Sequence, residues 1–359
     1  MPEYLDKHTS FSPPLSRLVI IWGLFFLICF SLGYPTLNRY LPSLAATTAE
    51  NHHASLVDTK HYTMLVEKGF VESPNNIWRY RVLVPYVAKP FYLIFKNHIG
   101  SWNPLYFSLL VANSLFVAST AILLFLIGAA ITGSKIVGFI SSLLLLAHFN
   151  ISNLYLAGLV DSSELFLMVL TAWILFQKKW YALPFIAFLA FLARETAVFF
   201  TIGLASSWFF VEIVRGKIKP PEVYTTPVYI LVAVIVGLGG VMLLIYLGTA
   251  EIFPPWRSPG RSNFQALNIS SGLWGLMTSK ALFYSFVWLL PLGLLGLRSI
   301  PRNWLWASIL TTGSALMLIA IMNAGENAGR PLFNTAGPML LVAAASFITE
   351  FLKLDRPSS

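Results

Sequence analysis

Charged side chains are scarce here. Asp, Glu, Lys and Arg make up only 11% of the 359 residues, against 57% hydrophobic, whereas soluble domains carry about 25% charged residues. No single water-soluble core fits that balance, and the mean hydropathy of +0.71 points the same way. Cysteine is nearly absent. The lone Cys29 lies inside an apolar run, so neither a disulfide framework nor a cysteine-based metal site can form. Internal repeats and low-complexity tracts are missing too, which removes a solenoid architecture.

What the chain does have is one apolar run after another, each close to the roughly 20 residues that a bilayer-crossing helix needs. Cut at charged or Pro/Gly-rich breaks, the runs fall at about 18–38, 104–131, 136–150, 162–177, 181–193, 196–213, 226–248, 276–297, 304–322 and 335–352. They predict an all-α, polytopic transmembrane bundle of about ten spans, a single integral membrane domain over 1–359. The first run has no small-residue cleavage site behind it and is read as a retained helix. A net charge of +9 with a pI near 9.6 would suit nucleic acid only if the cations were clustered. They stand singly or in twos and threes between apolar runs, a pattern that membranes read, and no nucleic-acid partner is expected.

Orientation follows from the breaks. With the N-terminus (Lys7, Arg17) cytoplasmic, alternate connections hold Lys135, then Lys178 and Lys179, then Arg215, Lys217 and Lys219, then Arg298 and Arg302, then Lys353 and Arg356. That is the positive-inside pattern. It predicts a multi-pass membrane protein with both termini cytoplasmic; a bacterial inner or plasma membrane is the expected setting. The opposite connections mix both signs, and the longest, 39–103, is a first extracytoplasmic loop. Its apolar stretch Val82 to Phe95 is broken by Pro85 and Pro90, and is expected to lie along the interface rather than to span.

The candidate chemistry sits on that mixed-charge side. DTKHY supplies Asp58 with His61 and Tyr62, and RYRVLVP supplies Arg79 and Arg81. A carboxylate near two arginines can act as a base or metal ligand while the guanidiniums grip a phosphate; the alternative is an Asp that caps a helix and arginines that reach lipid headgroups. Asp161 and Glu164 have capping-box spacing, yet also share a helical face at the outer boundary. Arg194 and Glu195 interrupt apolar sequence at membrane depth, where an ionisable residue is a functional hypothesis. Arg257 and Arg261 in PPWRSPGR, and Glu326 and Arg330 in NAGENAGRP, lie in irregular loops of the kind that wrap ligands. His52, His53 and His61 are close enough in sequence to hold a metal with Asp58, but they lack metal-ligand spacing. No cofactor is called for, and a divalent metal is left open. Asn150-Ile-Ser152 and Asn268-Ile-Ser270 fit the short glycosylation pattern.

With a cytoplasmic N-terminus, one helix, a long first outer loop bearing Asp58 in DTKHY, an interface helix at Val82 to Phe95 and charged outer helix ends, the chain resembles the GT-C superfamily of membrane glycosyltransferases. The resemblance implies inverting transfer of a sugar from a polyprenyl-phosphate-linked donor to a glycan, lipid or protein acceptor on the extracytoplasmic face, among membrane lipids. It matches Asp58 to the family's acid of the first outer loop, as base or acceptor-orienting group, and Asp161 to a second acid. Three rivals stand beside it: a lipid or solute transporter, a lipid-linked glycan polymerase or ligase, and an assembly subunit without chemistry.

Overall fold

A computed structural model describes residues 14–45, 57–70, 77–100, 102–218, 220–249, 269–321 and 328–354. Among them every regular element is helical: α1 (Leu15–Ala45), α2 (Val57–Lys68), α3 (Leu83–Phe95), α4 (Pro104–Thr132), α5 (Lys135–Leu146), α6 (Asp161–Phe176), α7 (Leu183–Ala193), α8 (Glu195–Val214), α9 (Pro220–Thr249), α10 (Ile269–Met277), α11 (Lys280–Phe286), α12 (Leu289–Gly296), α13 (Arg302–Ile321) and α14 (Gly329–Phe351). Six helices are long and apolar enough to cross a membrane, the apolar part of α1, α4, α8, α9, α13 and α14, and α11 with α12 makes a seventh if that pair, bent by 44°, is one span. This is a multi-pass membrane protein.

The remaining expected runs are helical but shorter. α5 has 12 residues, α6 16 and α7 11, or about 16–24 Å of helix against a hydrocarbon core of about 30 Å. α1 overshoots its expected end at 38, continuing to Ala45.

Local chemistry sets the boundaries. Asn103 caps α4, its side chain accepting from the Leu105 and Tyr106 amides, with Pro104 at the first helical position, where its missing N–H leaves no bond unmade. Gly133 ends α4 in the left-handed region at φ 74°, a conformation that only glycine adopts without strain. Ser134 then caps α5, and the two helices turn back as a tight hairpin.

α14 is the axis of the bundle, packed by α5, α6, α11, α12 and α13. Its ends mark two levels: Arg330 lies in the first turn, while Glu350 in the last pairs with Arg298 beyond α12. The helix between them spans about 30 Å, the depth of a hydrocarbon core. Around it, α6 packs on α4, α7 and α8, and α8 on α13 and α9.

Candidate functional site

The first turns of α6, α8 and α14 meet at one end of the bundle. A single residue, Arg194, separates α7 from α8, and its extended backbone (φ −172°, ψ 148°) reverses the chain there. Arg194 and Glu195 therefore face different neighbours. Arg194 donates from Nη1 to Asp161 Oδ1 at 2.7 Å, and Arg330 Nη1 donates to Asp161 Oδ2 at 3.0 Å, so one carboxylate bridges two guanidiniums. Glu195 accepts two bonds from Arg81, at 2.5 and 3.2 Å, in the paired geometry that a planar guanidinium favours.

Glu164 is fully buried; Arg194 Nη1 lies 3.5 Å from its Oε2, and the Thr196 hydroxyl stands 3.2 Å from both oxygens. Arg81 also donates to the Tyr62 hydroxyl at 3.3 Å, tying α2 to the cluster. Burial pushes the Tyr62 phenol above its ordinary value, and the Arg81 charge opposes that shift. Three arginines and three carboxylates thus gather from four stretches of chain. Side-chain exposures of 2% for Asp161, 16% for Arg194 and 19% for Arg330 place this network at the mouth of the bundle rather than in open water.

No protein-family model matches the chain, and no curated protein does.

Asp58 stands in the first turn of α2, half-buried, one helical turn before His61 and Tyr62. Thr59 anchors that turn, donating to the Ala157 carbonyl at 3.2 Å. His61 stacks on Trp78 at 4.3 Å. Its imidazole is held below the ordinary value chiefly by partial burial, against the opposing pull of Asp58. Arg79 is turned away from the cluster: its Nε donates to the Phe70 carbonyl at 2.6 Å, its Nη1 to the Gly248 carbonyl at 3.4 Å, and its guanidinium covers the Phe70 ring. It clamps the chain before α3 to the end of α9.

The capping box expected at Asp161 is not made. Val160 is the N-cap residue, without a side-chain cap, and Asp161 and Glu164 use their oxygens on Arg194, Arg330 and Thr196 instead. Among the described residues no three His, Cys, Asp or Glu side chains form a metal-holding group. Arg257, Arg261, Glu326, His52, His53 and Asn268 lie outside the described residues. Asn150 is buried and its Oδ1 accepts from the Ser285 hydroxyl at 3.1 Å, which removes it as a surface glycosylation acceptor.

Behind the cluster lie polar groups that do not stand out in the sequence. Tyr155, on a π-helical turn over Ile151–Tyr155, donates to Asn334 Oδ1 of α14 at 2.5 Å, and Ser162 donates to Asn113 of α4. The backbone N–H of Asn150 donates to His148 Nδ1, so Nε2 carries the proton given to the Ser285 carbonyl at 2.9 Å, one of the carbonyls at the break between α11 and α12. A signal existed: Asn113 is an amide inside an apolar run and Asn334 stands directly before one, where a polar side chain needs a partner. Tyr155→Phe is expected to lower stability by about 1 kcal/mol, read as a fall in melting temperature of the detergent-solubilised protein.

Proposed function

We propose that this chain is a membrane glycosyltransferase with a GT-C-like arrangement, moving a sugar from a polyprenyl-phosphate-linked donor to a glycan, lipid or protein acceptor on the extracytoplasmic face. In this reading the short helices α5, α6 and α7 complete ten crossings, the basic connections lie in the cytoplasm with both termini, and the membrane is a bacterial inner or plasma membrane. The observation that carries it is the gathering of Arg81, Arg194 and Arg330 with Asp161, Glu164 and Glu195 at one end of the bundle, next to the helix that bears Asp58.

The chemistry divides between the two groups of residues. The Asp58 carboxylate takes the proton of the acceptor hydroxyl as its oxygen attacks the anomeric carbon. The bond from that carbon to the phosphate oxygen breaks, and the lipid phosphate leaves with the electron pair on the opposite side, inverting the centre. Arg330 and Arg194 stabilise the charge that develops on the leaving phosphate. Asp161 is a poor base, since both its oxygens already accept from arginines; it holds those cations in register. A donor that is itself a membrane lipid arrives from within the bilayer.

Purified full-length protein assayed with lipid-linked sugar is expected to transfer the sugar, and Asp58→Asn to lower the rate by about 10²–10⁴-fold with unchanged melting. Full activity in Asp58→Asn removes Asp58 from the mechanism. A second reading, a lipid or solute transporter, draws on the bent pair α11 and α12 with polar His148, Asn150 and Ser285 beside it, because broken helices line many transport sites. It requires flux across proteoliposomes without glycosyl transfer.

A further inference from the structure

α3 differs from the other apolar helices in its neighbours and in its charges. It has 13 residues, with Lys89 within it and Lys96 at its C-cap, whereas the similarly short α5 and α7 hold no charged residue beyond the first position of α5; a lysine in mid-helix suits the interface and not the hydrocarbon core. Val84, Pro85 and Ala88 are buried where the helix packs on α2 and α4, while Tyr86, Leu93 and Ile94 are exposed. No acidic residue occurs between Leu83 and His98, but Lys89 and Lys96 do. They are seven residues apart, and Lys96 keeps helical backbone angles (φ −52°, ψ −27°), so two turns bring both to one face.

Neither lysine has an acidic partner among the described residues. Lys89 lies 6.0 Å from the centre of the Tyr86 ring, a cation over an exposed aromatic. A second observation fixes the depth of the far end. Phe95 meets Phe107 edge-on at 5.1 Å, Phe107 meets Trp102 at 5.4 Å, and Trp102 meets Tyr34 at 4.5 Å. Such Trp and Tyr clusters sit at the headgroup level. A short helix with an exposed apolar face, lysines that have no acidic partner among the described residues and an aromatic belt at its end matches an in-plane interfacial helix.

We propose that α3 lies along the membrane surface and binds the headgroups of anionic phospholipids through Lys89 and Lys96, with Tyr86, Leu93 and Ile94 set among the acyl chains. The helix thereby holds a ledge of negatively charged lipid beside Arg81, two residues before its start. This lipid binding does not depend on sugar transfer.

The test is titration of the full-length protein in mixed micelles with dansyl-labelled phosphatidylglycerol or phosphatidylcholine, read by energy transfer from tryptophan. Each lysine is worth about fivefold in headgroup affinity. Wild type is expected to prefer phosphatidylglycerol, and Lys89→Gln with Lys96→Gln to weaken that binding about twentyfold, leaving phosphatidylcholine uptake and the detergent melting temperature unchanged. If the double variant melts early, Lys96→Gln alone, at an exposed position, carries a loss of about fivefold. Equal affinity for the two lipids in wild type, or an unaltered phosphatidylglycerol affinity in the variants, overturns the proposal. So does full competition by inorganic phosphate, which would make this a free-anion site.

Discussion

Replacing Asp161 by alanine is expected to destabilise the protein by about 3–5 kcal/mol, the range for removing one partner from a buried ion pair. Asp161 is 2% exposed and takes Arg194 on one oxygen and Arg330 on the other. Its loss leaves two guanidiniums facing each other across a site that excludes most water. Arg194 has little to fall back on: its Nε is buried without a partner, and Glu164 is 3.5 Å from its Nη1. Chemical or thermal melting in detergent, with folded yield after purification, measures the effect. Because the damage comes from uncompensated charge, adding Arg330→Met to Asp161→Ala is expected to recover part of the lost stability. A further fall of the size of a second independent lesion would mean that Arg330 is held by something other than Asp161.

The second large effect belongs to a place with no chemistry. A Cβ built on Gly296 falls 1.9 Å from the Ala343 carbonyl oxygen and 2.5 Å from its carbon. That oxygen belongs to the backbone of α14, the helix on which the bundle is centred, so no side-chain rotamer can relieve the clash. Gly296→Val is therefore expected to cost about 3 kcal/mol, at the upper end of overpacking lesions, by forcing α12 off α14. Gly239 is the control. Nothing lies within 4 Å of a Cβ there, and Gly239→Ala is expected to leave melting unchanged or raise it slightly through helix propensity.

Much of the helical framework was readable in the amino-acid order, because apolar runs interrupted by single charges leave few other options in a membrane. The boundary at Arg194 and Glu195 illustrates this: two charges inside LARETAVFF demanded a break, and α7 and α8 are separated there by one residue. The lengths were harder to read. The apolar run over 136–150 contains His148 and Asn150, whose side chains bond across to Ser285; α5 ends at Leu146 and the chain turns through a π-helical segment. Hydropathy averages over such residues and does not register the turn.

Pairing among the charges was legible only as a tendency. Arg79 and Arg81 are two residues apart and look equivalent in RYRVLVP, yet the 3-10 turn at Ile77–Tyr80 directs one to backbone carbonyls and the other to Glu195. Spacing alone carries no information about a partner 114 positions away. Asp161 and Glu164 raised a similar ambiguity between a cap and a charge site, which the arginines of α14 and of the α7–α8 junction resolve.

Charges distant in sequence assemble into one site at the mouth of the bundle, and exchange of the Arg81–Glu195 pair tests that assembly most directly. Arg81→Glu and Glu195→Arg are each expected to lose folded yield and melting temperature. The double exchange, which restores opposite charges at the same place, is expected to recover most of both. If the double variant is as damaged as the sum of the two single ones, the segment before α3 does not meet the start of α8, and the site described here does not exist.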